Sequence, residues 1–250
     1  MNELKGKVAI ITGASKGIGA AIARQFGAAG AAVVVNYASS KADADKVVSS
    51  IIAEGGKAFA VQADMSKADE VKRLFRETQH TFGRLDILVN NAGVFSFQPL
   101  EAVTQAEFHR QFDINVLGTL LAMQEAVGYF GPQGGSIINF SSISSINPVP
   151  NSAIYSASKS AVDALTKALA NELAARKIRV NAIAPGVTAT EGLAAAGVSA
   201  GSDAAEAIAA GIPMGRLGQP GDIAQVALFL ASDQSSWLTG ERITAAGGQR

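Results

Sequence analysis

Thr12-Gly13-Ala14-Ser15-Lys16-Gly17-Ile18-Gly19 is the stretch on which the reading of this chain turns. It follows a short apolar run, Lys7–Thr12, and opens a helical pattern that continues to about Ala29. Glycines at 13, 17 and 19 let the backbone turn tightly and approach another group closely. The helix start downstream offers free N–H groups and the positive end of a helix dipole, which together suit a diphosphate. The spacing is G-x-x-x-G-x-G. It is neither the G-x-G-x-x-G fingerprint nor a P-loop, in which Lys follows the second glycine. A purely structural glycine turn is the competing reading in a chain with 26 glycines. The position between the first strand and the first helix favours phosphate binding.

Outward from this turn, short β-branched runs alternate with longer helical patterns. Lys7–Thr12, Ala32–Asn36, Ala58–Gln62, Leu85–Asn90, Ser136–Ser141, Arg179–Ala184 and Arg242–Thr244 read as strands. Most are apolar throughout, as strands covered on both faces of a parallel sheet are. Ser40 with Asp43, Ser66 with Asp69 and Thr104 with Glu107 read as helix-capping pairs, and Pro220 suits the first turn of a last long helix to about Ala231. The alternation predicts an α/β fold: one doubly wound parallel sheet with helices on both faces, in a single domain over residues 1–250. Thr188–Gly211, rich in Ala, Gly and Ser, reads as a mobile helical excursion acting as a lid; a surface insertion without a role is the alternative.

Hydrophobic residues make up 48% and charged residues 17%, which excludes a disordered chain. Lys plus Arg and Asp plus Glu both number 21, so no long-range attraction to nucleic acid or an anionic membrane is expected. With no cysteine, disulfides and thiolate metal sites are excluded. His80 and His109 are the only histidines and have no ligand spacing, so no metal is expected and both read as helix-surface residues. The first strand begins too early for a signal peptide, and no apolar run approaches the roughly 18–20 residues that span a bilayer. A soluble, cytoplasmic protein is the expectation.

A dinucleotide at the glycine turn would be discriminated at the end of the second strand. An NAD site commonly places an acid there for the ribose 2′-hydroxyl. Here the chain reads Asn36-Tyr37-Ala38-Ser39-Ser40-Lys41, with no acid before Asp43. Hydroxyls and ammonium groups hold a 2′-phosphate that a carboxylate would repel, and Lys16 adds a cation from the glycine turn. NADP(H) is therefore preferred over NAD(H), unless Lys16 and Lys41 are merely solvated charges.

Tyr155 and Lys159 lie four apart in a helical pattern beginning near Asn151 or Ser152, hence on one helix face. A phenol, with a reference pKa near 10, needs a neighbouring ammonium to become a useful acid or base at neutral pH. The pair alone is a weak pattern. Ser142 strengthens it, because it stands at the carboxyl end of a strand, where open α/β sheets bind ligands. An ordinary strand-end serine is the alternative. Asn115 lies seven residues after Phe108, near the face of an apolar stripe through Phe108, Phe112 and Val116. A buried asparagine there either stabilises the helix interior or holds water in a polar relay.

With these positions in view, the chain resembles the short-chain dehydrogenase/reductase family along essentially its whole length. Thr12–Gly19 matches the family's T-G-x-x-x-G-I-G, and Asn90-Asn91-Ala92-Gly93 matches its N-N-A-G. Asn115, Ser142, Tyr155 and Lys159 fall at its spacing, and Pro185-Gly186 follows the sixth strand. The pattern looks closest to the 3-oxoacyl-(acyl carrier protein) reductase-like members, on a Rossmann-type sheet of seven strands. The resemblance implies Tyr155 as general acid/base, Lys159 as the group that lowers its pKa and binds ribose, Ser142 as the group that orients the carbonyl, and Asn115 as holder of a relay water. It implies cofactor contacts from Gly13, Ser15, Lys16, Gly17, Ile18 and Gly19 around the diphosphate. Tyr37, Ala38, Ser39, Asp64, Met65, Asn91, Ala92 and Gly93 belong to the adenosine side, and Pro185, Gly186, Val187 and Thr188 to the carboxamide. Ser142, Ser144, Phe95, Pro150 and Tyr155 are candidates to face the substrate, and Phe95, Phe97, Ile146, Val149 and Pro150 are candidate apolar walls, with ordinary core or loop packing the equal alternative for each. A homotetramer packed through the helices of Asn115 and Tyr155 is implied as well.

Two departures stand out: Ser145, where many relatives have glycine, and Ala246, where an acid is frequent near the expected subunit contacts. The leading expectation is NADPH-dependent reduction of a small ketone. A sugar, polyol or steroid dehydrogenase working oxidatively with NAD is the second reading, and a non-catalytic NADP(H)-sensing protein the third.

Overall fold

All four residues of β1 (Val8–Ile11) are buried, as a continuous apolar run covered on both faces requires. The computed structural model describes residues 3–249. Within them β1 is joined by β2 (Ala32–Tyr37), β3 (Lys57–Gln62), β4 (Ile87–Asn90), β5 (Gly135–Phe140), β6 (Ile178–Pro185) and β7 (Arg242–Ala245). They form one 7-stranded sheet in the order β3-β2-β1-β4-β5-β6-β7, every neighbouring pair parallel. All the predicted strands are present, with ends that differ by a residue or two. Leu85, for instance, makes only an isolated bridge to Phe130 before β4 begins.

The connections are α1 (Gly17–Ala28), α2 (Lys41–Ala53), α3 (Ala68–Phe82), α4 (Gln105–Phe112), α5 (Gly118–Tyr129), α6 (Ala153–Leu173), α7 (Glu191–Ala195), α8 (Asp203–Ala210) and α9 (Pro220–Ala231). Alternation along each strand sends Ile11, Val33 and Val35 to one face, where Phe26 of α1, Ile51 of α2 and Leu230 of α9 meet them. Ile10, Val34 and Leu88 point to the other, against Phe75 of α3, Met123 of α5 and Leu173 of α6. A buried aromatic such as Phe26 or Phe75 contributes about 1.5–3 kcal/mol over its exposed form. The strand order reverses between β1 and β4, so a crevice opens at their carboxyl ends.

Two expected caps differ. Thr104 does accept from the Glu107 N–H at 3.2 Å. Ser40 occupies the N-cap of α2 without a side-chain bond, because Asp43 turns away to Lys16 and Lys46. Ser66 precedes the N-cap, Lys67, and its hydroxyl donates to Asp64 at 2.8 Å. Pro220 opens α9 as expected, and Asp222 accepts from the Gln219 N–H.

The stretch from Thr188 to Gly211 is helical, as read. Its weak periodicity reflects two short helices, α7 and α8, capped by Thr190 and Ser202. Ala205, Ile212 and Leu217 form a small core of their own beneath it, with Val187 and Leu193 packed against them.

Candidate active site

Gly13 leaves β1 at φ +61° and Gly17 enters α1 at φ +55°, conformations that glycine adopts without strain. Two asparagines lace the turn between them. The Asn91 side chain donates to the carbonyls of Thr12 (2.9 Å) and Gly13 (3.0 Å), while Thr12 Oγ1 accepts from the N–H groups of Asn91 and Ala92. Asn36 Oδ1 accepts from the Gly13 N–H at 3.1 Å, and its amide donates to the Val61 and Ala63 carbonyls. Asn91 thus spends its amide nitrogen on the turn, whereas Asn36 gives the turn only its Oδ1 and ties it to the end of β3. A Cβ on Gly19 would stand 2.5 Å from Asn91 Nδ2 and 2.6 Å from the Gly13 carbonyl oxygen, so this glycine closes the packing.

Gly17 faces the segment after β6: a Cβ there would lie 3.3 Å from Thr190 Cγ2 and 3.6 Å from Glu191 Oε2, and no side chain caps the start of α1. Bare N–H groups and a side without a Cβ fit a diphosphate. Thr190 is a residue that the sequence reading passed over. Its signal was the helix cap it forms with the Leu193 N–H.

Farther out, Lys16 and Lys41 are not free cations. Lys16 Nζ pairs with Asp43 at 3.0 Å, and Lys41 Nζ with Asp45 at 2.7 Å. Hydrogen bonds from Lys16, then from Lys46, hold the Asp43 carboxyl below its usual range. Ala38 and Ser39 are exposed at the end of β2, whereas Tyr37 and Met65 bury their rings and chains in the two cores. Asp64 accepts from the Ser66 N–H and hydroxyl. Of these residues, Tyr37 and Met65 could face a nucleotide only through their backbone.

Ser142 follows β5 and is 7% exposed. Its Oγ accepts from the Ser144 N–H at 3.1 Å, and its side chain acts on the Tyr155 phenol. Tyr155 and Lys159 share one face of α6, as their spacing predicts. The Lys159 ammonium, however, lies 5.8 Å from the centre of the Tyr155 ring and donates to the Phe140 carbonyl at 2.8 Å. Burial pushes the Tyr155 phenol up, and only the bond to Ser142 pulls it down. Burial also lowers Lys159 to about 8, against the opposing pull of Asp163. The causes of the Tyr155 shift are burial and Ser142, and the lowering expected from Lys159 is not among them.

Asn115 sits in a π-helical turn, Asp113–Leu117, between α4 and α5. Its Oδ1 accepts from the Val94 N–H (2.8 Å), and its Nδ2 donates to the Val94 carbonyl (2.9 Å) and Ser158 Oγ (3.0 Å). The side chain is spent on holding the loop after β4 against α6. Any relay water would use the main-chain carbonyl, which takes the Thr119 hydroxyl and keeps a second lone pair. The expected stripe is corrected: Asn115 is buried while Phe108 is 41% exposed, because the wider π turn shifts the helical phase between them.

Phe95 and Phe97 set their rings edge-on to Tyr155, with centroids 6.1 and 6.0 Å away. Their loop is tied to the opposite wall by the Gln98 N–H, which donates to the Asn151 carbonyl. Ile146, Val149 and Pro150 are exposed on that wall, whereas Ser144 is buried and offers its backbone to Ser142. Pro185, Gly186, Val187 and Thr188 follow β6, and Thr188 Oγ1 donates to the Gly186 carbonyl. Ala246 packs on Gly186, where a Cβ would lie 2.8 Å from its own. A cavity of about 720 Å³ opens beside this segment, lined by Ile143, Ile146, Gly186, Val187, Met214 and Arg242 among others. His80 and His109 are exposed on α3 and α4. Among the described residues no acidic or histidine cluster could hold a metal, and no helix is long and apolar enough to cross a membrane.

Residues 13–250 match the family model described as enoyl-(acyl carrier protein) reductase. The chain is 56% identical to an uncharacterized oxidoreductase of Methylorubrum extorquens over 100% of both chains. It is 42% identical to versicolorin reductase 1 of Dothistroma septosporum, covering 98% of this chain and 97% of the other. The solved structure of the angucycline C-6 ketoreductase LanV with bound NADP superposes at a TM-score of 0.92 and 38% identity, over 99% and 97% of the two chains. An oxidoreductase likeness over full length joins a seven-stranded parallel sheet and a Ser–Tyr–Lys cluster at its carboxyl edge, and the chain belongs to the short-chain dehydrogenase/reductase family.

Proposed function

We propose that the protein reduces a ketone to a secondary alcohol with NADPH, Tyr155 acting as general acid. One observation carries this reading: Ser142, Tyr155 and Lys159 gather at the carboxyl edge of β5, with the Ser142 side chain drawing the Tyr155 phenol down, so that two hydroxyls can converge on one carbonyl oxygen. A bound reduced nicotinamide supplies hydride to the carbonyl carbon. Ser142 donates to the carbonyl oxygen and fixes its position, and Tyr155 delivers the proton to that oxygen. Lys159 would bind the ribose hydroxyls of the cofactor, and its charge would favour the phenolate left behind.

Gly13, Ser15, Gly17, Ile18, Gly19 and Thr190 would hold the diphosphate, and Lys16 and Ser39 would bind a ribose 2′-phosphate. The bound NADP of LanV and the absence of an acid before Asp43 both support NADP(H). The pairing of Lys16 with Asp43 is the observation on the side of NAD(H). Phe95, Phe97, Ile146 and Val149 make an apolar rim suited to a hydrophobic ketone, including a 3-oxoacyl chain. Residues 188–211 act as the lid. Phe108, Leu117 and Leu120, exposed around the π turn, are covered in a homotetramer.

Tyr155→Phe removes one oxygen. Ketone reduction with NADPH should fall about 100-fold or more, with NADPH binding, followed by fluorescence, unchanged. Near-full reduction by the variant would refute the mechanism. Equal kcat/KM for NADPH and NADH in the native protein would refute the cofactor preference.

A further inference from the structure

Behind the catalytic serine, groups from three separate stretches meet in a buried network. Arg242, at the start of β7, donates from Nη2 to the Ser142 main-chain carbonyl at 2.8 Å. Its Nε reaches Asp163 Oδ2 on α6 at 3.1 Å and Ser145 Oγ at 3.2 Å, and its Nη1 reaches Thr244 Oγ1 at 2.8 Å. Ser145 Oγ donates to Asp163 Oδ2 at 2.5 Å, and Ser160 Oγ donates to the Ser145 carbonyl at 2.7 Å. The side chains of Arg242 and Asp163 are each 13% exposed, and Asp163 Oδ1 is buried without a hydrogen-bond partner. A partly buried pair with one carboxylate oxygen unsatisfied is a poor stabilising device; apolar residues of similar volume commonly do as well. Arg242 meets the catalytic groups at the backbone of Ser142, and Asp163 acts on Lys159.

We propose that Arg242 and Asp163 are positioning residues for catalysis. The guanidinium holds the Ser142 carbonyl, and with it the direction in which the Ser142 hydroxyl meets Tyr155 and the substrate oxygen. Asp163 and Ser145 aim the guanidinium. Ser145 carries the hydroxyl that bridges the pair, which gives a role to this departure from glycine. The proposal rests on the reading of Ser142 as the group that orients the ketone. A displacement of about 1 Å at a reacting group can cost on the order of 100-fold in rate, so a partly relaxed serine is expected to cost about tenfold.

Asp163 also acts on Lys159, one turn before it, so the test uses Arg242 and Ser145. Arg242→Met, Arg242→Lys and Ser145→Ala are each made in the native chain and in Ser142→Ala. They are assayed on β-tetralone and ethyl acetoacetate, with NADPH affinity measured by fluorescence. Arg242→Met should lower kcat about tenfold and leave KM and NADPH affinity within about twofold; Arg242→Lys should restore part of the loss. Ser145→Ala, which strands no buried charge, should lower kcat about two- to threefold, and it carries the test if Arg242→Met fails to fold. In Ser142→Ala each second loss should shrink to under about twofold, since the clamp acts through the missing hydroxyl. Equal losses in both backgrounds, or losses that track NADPH affinity, would overturn the proposal.

A readout free of turnover separates this inference from the proposed function. Followed by NMR of ring-labelled tyrosine, the Tyr155 phenol should titrate higher in Arg242→Met, because its bond to Ser142 is what draws it down. An unmoved titration overturns the clamp even in an active enzyme. A moved titration in a chain that reduces neither ketone with NADPH or NADH keeps the clamp and refutes the function.

Discussion

Lys159→Met keeps an unbranched side chain one atom shorter and removes its charge, so it reports what burying an ammonium costs. Burial lowers the Lys159 pKa from 10.5 to about 8. The gap corresponds to roughly 3 kcal/mol at about 1.4 kcal/mol per pH unit. Because the folded pKa lies below the unfolded one, the unfolded chain holds an extra proton between about 8 and 10.5. Stability therefore rises with pH through that window, and the cost is fully present below about 8. Methionine escapes this cost but loses the bond to the Phe140 carbonyl, worth about 1 kcal/mol. The variant should thus be more stable than the native chain by about 2 kcal/mol near pH 7, a rise of about 4–8 °C in Tm for a domain of this size. Near pH 10.5 the order should invert, with the native chain ahead by about 1 kcal/mol. Urea unfolding followed by circular dichroism, at fixed protein concentration and without added nucleotide, measures both. A variant less stable than the native chain near neutral pH, or a difference that does not change with pH, would refute the reasoning.

Gly19→Ala forces a Cβ to within 2.5 Å of Asn91 Nδ2, which should weaken NADPH binding at least about tenfold and cost about 1–3 kcal/mol in urea unfolding. Tight binding by this variant would show that the turn does not hold the diphosphate. Asp43→Asn releases Lys16, so the kcat/KM ratio of NADPH to NADH should rise about two- to fivefold at low salt. The gain should fade at about 1 M salt, where the Debye length is near 3 Å. An unchanged ratio at low salt would remove Asp43 and Lys16 from cofactor choice.

Strands and motif positions were legible because they depend on local patterns. Val8–Ile11 is apolar throughout and is covered on both faces. Tyr155 and Lys159 are four apart and share one face of α6. Within the site, legibility stopped at the choice of partner. Asn91 resembled a nucleotide contact and is spent on Thr12 and Gly13. Lys159, expected beside the phenol, also donates to the Phe140 carbonyl, a partner that its spacing did not reveal. Asn115 resembled part of an apolar stripe, and a single π turn took it out of phase with Phe108.

By itself the sequence determined the order of strands and helices, the glycine turn and the Ser142–Tyr155–Lys159 spacing, since each depends on residues a few positions apart. Only the tertiary structure decided which groups those residues touch. Asn91 meets Thr12 across 79 positions, and Arg242 meets the Ser142 carbonyl across 100. Hydrogen bonds over such separations follow from how the sheet stacks its carboxyl ends together, and no local periodicity records that.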